Sequence, residues 1–221
     1  MTSSLTPRYN EAMVEKVNPQ NVEFWFDPAC PWCWMTSRWL TEVSEVRGFD
    51  VTWNSFSLHF LNEGRDMPAD KHEQHLKMLA PLRVIEKARE LHGDAVIGKL
   101  YTELGTRIHP GGRSDIDEII AEALAAADLP ADLAEVAHRV GDEEDELDAR
   151  LRASTARALD LVGRDVGIPI IAVDGHAFFG PVVSPAPTGD AALKLFDGVV
   201  AAAGVEGFYE LKRTRDVGPQ F

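Results

Sequence analysis

Val22-Glu23-Phe24-Trp25-Phe26-Asp27-Pro28-Ala29-Cys30-Pro31-Trp32-Cys33-Trp34-Met35-Thr36-Ser37-Arg38-Trp39-Leu40 is the stretch on which the reading of this chain turns. Its first five residues are apolar or aromatic at four positions, as in a buried strand. Asp27-Pro28-Ala29 breaks that run, and a helical segment follows. Pro31 suits the first helical position, where a missing N–H costs nothing. Cys30 then falls at the N-cap and Cys33 one turn further in. These are the two cysteines of the 221-residue chain, and C-x-x-C at a strand-to-helix junction reads as a redox-active dithiol. The free N–H groups and macrodipole of the helix N-terminus favour a thiolate at Cys30, with a pKa below the roughly 8.5 of free cysteine. Cys30 is therefore expected to be the nucleophile. Cys33, less exposed, is expected to resolve a mixed disulfide. A static disulfide, two unrelated buried thiols and half of a zinc site are the other readings. No second C-x-x-C or histidine pair completes the zinc site.

The rest of the composition narrows the function. Lysine and arginine number 22 against 36 acids, a net charge of −14. That argues against non-specific nucleic-acid binding and against an anionic membrane surface. No run of about 18 apolar residues is present to span a membrane, and the first residues lack the pattern of a secretory signal. With its two thiols confined to one motif, the protein is expected to be cytoplasmic.

Outward from the dithiol, 1–21 reads as a polar extension with a short helix at Asn10 to Val17. Phe49 to Leu58 alternates with period two and reads as a second strand, parallel to the first by a right-handed crossover. Residues 66–164 show helical patterns alone. A first helix runs from Met67 to His92 with a bend at Pro81, and a second from Asp94 to Ile108. A third is capped by Ser114-Asp115 and ends near Leu129; a fourth spans Pro130 to Val140, and a fifth Glu143 to Val162. The acidic run Asp142 to Asp148 reads as a solvated helix start rather than a metal site. Strands return at Pro169 to Val173 and His176 to Gly180, joined by an Asp174-Gly175 hairpin turn. A last helix covers Asp190 to Ala203, and Phe208 to Arg213 is the one ordered piece of the tail.

This order, with Gly167-Ile168-Pro169 before a strand, resembles the DsbA-like branch of the thioredoxin superfamily. The resemblance implies an α/β thioredoxin-like fold, 22–65 and 165–221, with an all-helical insertion, 66–164. It also implies a cis-proline at Pro169 packed against the C-x-x-C. Phe24 to Trp34, Thr36 to Trp39, Arg107-Ile108-His109, Ala177 to Val182 and Tyr209 to Arg215 resemble the actinobacterial mycothiol-dependent nitroreductases. That family implies a thiol oxidoreductase with no tightly bound cofactor. Mycothiol, another low-molecular-weight thiol or a mycoredoxin-like partner would recycle it, and disulfides or some nitro compounds would be its substrates. Asp70-Lys71-His72 departs from the family, which has a tyrosine at that turn, and 1–21 has no counterpart in it.

Trp32, between the thiols, is expected to be half-exposed and to cover a substrate, or else to pack the helix. Trp34 and Trp39 are expected in the core. The resemblance adds the backbone of Ile168 beside Pro169 as a partner for an extended thiol substrate, and Asn62 and His109 as pocket residues. Lys212, Arg213 and Arg215 would steer an anionic partner or pair with the protein's own surface. Two other functions share the architecture. A kappa-type glutathione transferase or 2-hydroxychromene-2-carboxylate isomerase would use a serine or a single thiol, and a binding module would use the insertion as its interface. A complete C-x-x-C favours the dithiol enzyme.

Overall fold

The computed structural model describes residues 19–139 and 146–221. The helix read at Asn10 to Val17, and the first part of the acidic run from Asp142, lie outside them. Strand β1, Val22–Phe26, is followed by helix α1, Pro31–Arg47, and strand β2, Val51–Ser55. Helices α2 (Leu58–Leu61), α3 (Ala69–Lys77), α4 (Leu79–His92), α5 (Ile97–Ile108), α6 (Ile116–Ala126) and α7 (Glu146–Val162) come next. The hairpin of β3, Ile170–Val173, and β4, His176–Phe179, precedes helix α8, Gly189–Ala203. The sheet order is β2-β1-β3-β4. β1 pairs parallel with β2, Phe24 opposite Trp53, and antiparallel with β3, Trp25 opposite Ile170. The parallel crossover and the hairpin stand where the sequence puts them.

Four local readings are corrected. The first long helix is broken at Met78, between α3 and α4, not at Pro81. The proline is still the cause. In a continuous helix its ring would meet the carbonyl of residue 77, four back, and 77 is where α3 ends. Pro81 instead sits in the first turn of α4, where N–H groups have no helical partner anyway. Residues 131–136 form a 3₁₀ segment, a form used in short pieces, rather than the helix expected from Pro130. Asp115 does not cap α6 with its side chain; it pairs with Arg113. No regular element forms from Phe208 to Arg213.

One cluster of buried side chains joins sheet and helices. Phe24, Phe26 and Trp53 pack edge to face, and Tyr101 of α5 stacks on Phe26 with ring centroids 3.9 Å apart. Trp34 and Trp39 lie in this core. The approach of α5 to α1 depends on Gly105, where a Cβ would stand 2.3 Å from the Trp34 ring. Alanine favours helix over glycine by about 1 kcal/mol, but forcing a methyl into a packed ring costs about 1–3 kcal/mol. Gly105→Ala is therefore expected to destabilise. Its urea midpoint should fall with the slope unchanged, and an unchanged or raised midpoint would show that Trp34 gives way freely.

Candidate active site

The site forms where β1 hands the chain to α1. Cys30 has extended backbone and is the N-cap; Pro31 opens the helix. The Cys33 backbone N–H donates to Cys30 Sγ at 3.3 Å. This is the N-cap bond that serine or aspartate makes elsewhere, here to a sulfur, and it strengthens as negative charge builds there. Both cysteines are free thiols. Cys30 keeps 6% of its surface exposed and Cys33 none. The Cys33 thiol is pushed well above its usual pKa, first by burial and then by hydrogen bonding and charge from Cys30. Cys33 is thus the more enclosed of the two sulfurs.

Across from Cys30 the Ile168–Pro169 peptide is cis, and the Ile168 carbonyl oxygen lies 3.9 Å from Cys30 Sγ. Ile168 and Pro169 are buried at the start of β3. Residues 138 positions apart are brought together because β3 pairs with β1.

The turn between β1 and Cys30 is held by Asp27. Its carbonyl accepts from Cys30 N–H at 2.9 Å. Its carboxyl accepts from Ala29 N–H and from Leu58 N–H, both at 2.7 Å. Leu58 begins α2, so one side chain ties the dithiol turn to the segment after β2. Asp27 has no exposed surface. Burial raises its carboxyl from 3.8 to about 7, and the two backbone hydrogen bonds oppose that rise. The sequence reading missed this residue. Its signal was an acid placed directly after an apolar strand and three positions before Cys30.

His109 follows α5 and reaches the same turn from the other side. Its Nε2 lies 3.1 Å from the Pro28 carbonyl, which can only accept, so Nε2 carries the proton. Burial lowers the His109 pKa to about 4, leaving a neutral imidazole near pH 7. The ring lies 5.9 Å from that of Trp34 and 5.5 Å from that of Phe221. Asn62 stands one step back. It ends α2, and its amide nitrogen donates to the Leu58 carbonyl at 2.8 Å. Trp32 is half-buried beside the thiols, with the Arg215 guanidinium 5.0 Å from its ring centre. Cys30, Cys33, Trp32, Ile168, Pro169 and His109 therefore share one neighbourhood. Asn62 touches it through the Leu58 end of the Asp27 clamp. No group of side chains suited to a metal ion occurs among the described residues, and no described helix is long and apolar enough to cross a membrane.

Similar proteins share this fold. The cytosolic disulfide reductase DsbM from Pseudomonas aeruginosa superposes with a TM-score of 0.54 at 19% identity, over 82% of this chain and 98% of that one. The same protein solved with GSH gives 0.54 at 17% identity, over 82% and 99%. The fold is thus DsbA-like and thioredoxin-like, mixed α/β with helices between β2 and β3, as the sequence led one to expect. The uncharacterized protein Rv2286c of Mycobacterium tuberculosis is 29% identical over 196 residues, 88% of this chain and 82% of its own. The family model described as Rv2466c-like, mycothiol-dependent nitroreductase Rv2466c, matches residues 29–213, and the chain belongs to that family.

Proposed function

We propose that this protein is a cytoplasmic thiol-disulfide reductase in which Cys30 attacks and Cys33 resolves, with a low-molecular-weight thiol returning it to the dithiol form. The observation behind this reading is the asymmetry of the pair: Cys30 Sγ takes the Cys33 N–H at a helix N-terminus, while Cys33 is sealed behind it. In the first step the Cys30 thiolate displaces one sulfur of a substrate disulfide, forming a mixed disulfide and releasing a thiolate. In the second, Cys33 loses its proton and attacks Cys30 Sγ; the Cys30–Cys33 disulfide forms and the second substrate thiolate leaves. The dithiol has lost two electrons and the substrate disulfide has gained them. Asp27 is the acceptor for the Cys33 proton in this scheme. Its charge acts on the Cys33 thiol, and a carboxyl with a pKa of about 7 is matched to proton transfer at neutral pH.

Trp32 and the cis Ile168–Pro169 peptide are the substrate-facing walls; His109 holds the turn at Pro28, and Asn62 braces α2 behind it. The helices between β2 and β3 are the insertion in this reading, and His109 at the end of α5 brings it to the dithiol turn. The family name and a neighbour solved with GSH support a small thiol as reductant, mycothiol in this family, directly or through a mycoredoxin-like protein. Nitro compounds are a second substrate class, supported by the family description.

The test is a redox equilibrium against mycothiol and glutathione buffers, followed by mass spectrometry of the adduct. The Pro-Trp pair between the cysteines brings no positive charge of its own. The potential is expected in the range of roughly −180 to −270 mV spanned by isomerase-like and thioredoxin-like sites. A value near the roughly −120 mV of a strong oxidant would replace the reductase reading by an oxidase one.

A further inference from the structure

The tail after α8 crosses the dithiol site. Phe208 packs edge to face on Phe178, centroids 5.6 Å apart. Ser184 Oγ donates to the Gly218 carbonyl at 3.0 Å and accepts from Gln220 N–H at 2.9 Å. Phe221 lies against His109, the residue that holds the Pro28 carbonyl. Between these anchors Arg215 sits over Trp32. Nine other arginines pair with carboxylates among the described residues. Arg215 shows no carboxylate partner there, although the protein carries 36 acids.

We propose that Arg215 is a specificity-determining residue which selects disulfides bearing a carboxylate on the arm next to the attacked sulfur. The proposal rests on the dithiol reading and extends it to a substrate class. A guanidinium stacked on an aromatic face keeps its N–H edges free, and those edges fit a carboxylate two bonds at a time. Trp32 is two residues from Cys30 at the same helix end. The reach of an exposed charge is about 8 Å at physiological salt and longer at low salt. With a net charge of −14 the protein as a whole repels anions, and a local cation at the site reverses that for the one arm that must be held. Cys30 thiolate attacks the sulfur of the held arm, and the other arm leaves as a thiolate. Cys33 then displaces the held arm from Cys30 as the intramolecular disulfide forms.

The experiment compares alkylation of Cys30 in the reduced full-length protein by iodoacetate and by iodoacetamide, at low salt, read by mass spectrometry. The two reagents share leaving group and size and differ in charge, so their rate ratio cancels the amount of thiolate present. The iodoacetate-to-iodoacetamide ratio is expected to fall about five-fold in Arg215→Ala, to fall further in Arg215→Glu, and to survive in Arg215→Lys. High salt should bring the wild-type ratio down to that of Arg215→Ala. In turnover, the same variants should lose kcat/KM for 5,5′-dithiobis(2-nitrobenzoate) relative to neutral 2,2′-dithiodipyridine. A ratio indifferent to residue 215, with Cys30 still alkylated by iodoacetamide, overturns this inference and leaves the dithiol reading intact. Failure of both reagents at Cys30 overturns the dithiol reading and this inference with it.

Discussion

Cys30→Ser is expected to abolish turnover of every disulfide substrate, because no second nucleophile can take its place. Cys33 has no exposed surface, and burial holds its thiol protonated well above the usual range. The thiolate is the species that attacks, so a buried, protonated thiol contributes neither access nor charge. Cys33→Ser has a different outcome. Cys30 still attacks once, and with no resolving sulfur the reaction stops as a mixed disulfide after one equivalent. Peptide mass spectrometry should place the trapped arm on Cys30. Steady turnover by Cys30→Ser, or an adduct on Cys33 in the wild type, would reverse the assignment of the two sulfurs.

The strand-to-helix turn that carries the two sulfurs could be read from nineteen consecutive residues because its physics is local. A strand pattern, a Pro31 that fits a first helical turn and a cysteine at the cap are short-range facts. The hairpin at Asp174-Gly175 and the parallel step from β1 to β2 are legible for the same reason. What the sequence hid depends on distance along the chain. The Asp27 clamp needs the Leu58 N–H, 31 residues on, and no periodicity reports a backbone donor on another element. His109 was reachable through resemblance, but its partner, the Pro28 carbonyl, is again backbone. Arg215 over Trp32 joins the tail to the first helix, and charge patterning alone offered steering or surface pairing without choosing between them. The break at Met78 shows a further kind of miss: Pro81 was seen, but its effect falls three residues upstream, because its ring would meet the carbonyl of residue 77.

Asp27 carries the second large effect, and its sign follows from burial. In the unfolded chain its carboxyl titrates near 3.8; in the folded protein burial holds it at about 7. Between those values the folded protein keeps a proton that the unfolded chain has released, so stability falls as pH rises. The contribution is complete below about pH 4 and is lost by the time pH passes 7. At about 1.4 kcal/mol per tenfold change, the swing is of order 4 kcal/mol. Asp27→Asn keeps the shape and removes the ionisation. The stability of wild type minus that of Asp27→Asn, from urea midpoints between pH 5 and 8, should therefore shrink as pH rises. Taking the difference removes the other titrating groups, His109 among them. Asp27→Ala leaves the Ala29 and Leu58 N–H groups without their acceptor in a buried place. At about 1–3 kcal/mol for each unmet donor, it should lose about 2–6 kcal/mol at pH 5. The same substitution to asparagine tests the chemistry. If Asp27 takes the Cys33 proton, release of the mixed disulfide should rise through about pH 7 in the wild type and lose that limb in Asp27→Asn, while the first attack by Cys30 proceeds. A wild-type-minus-Asn difference that stays flat from pH 5 to 8 would show that the carboxyl does not titrate in this range, and both roles of Asp27 would fall together.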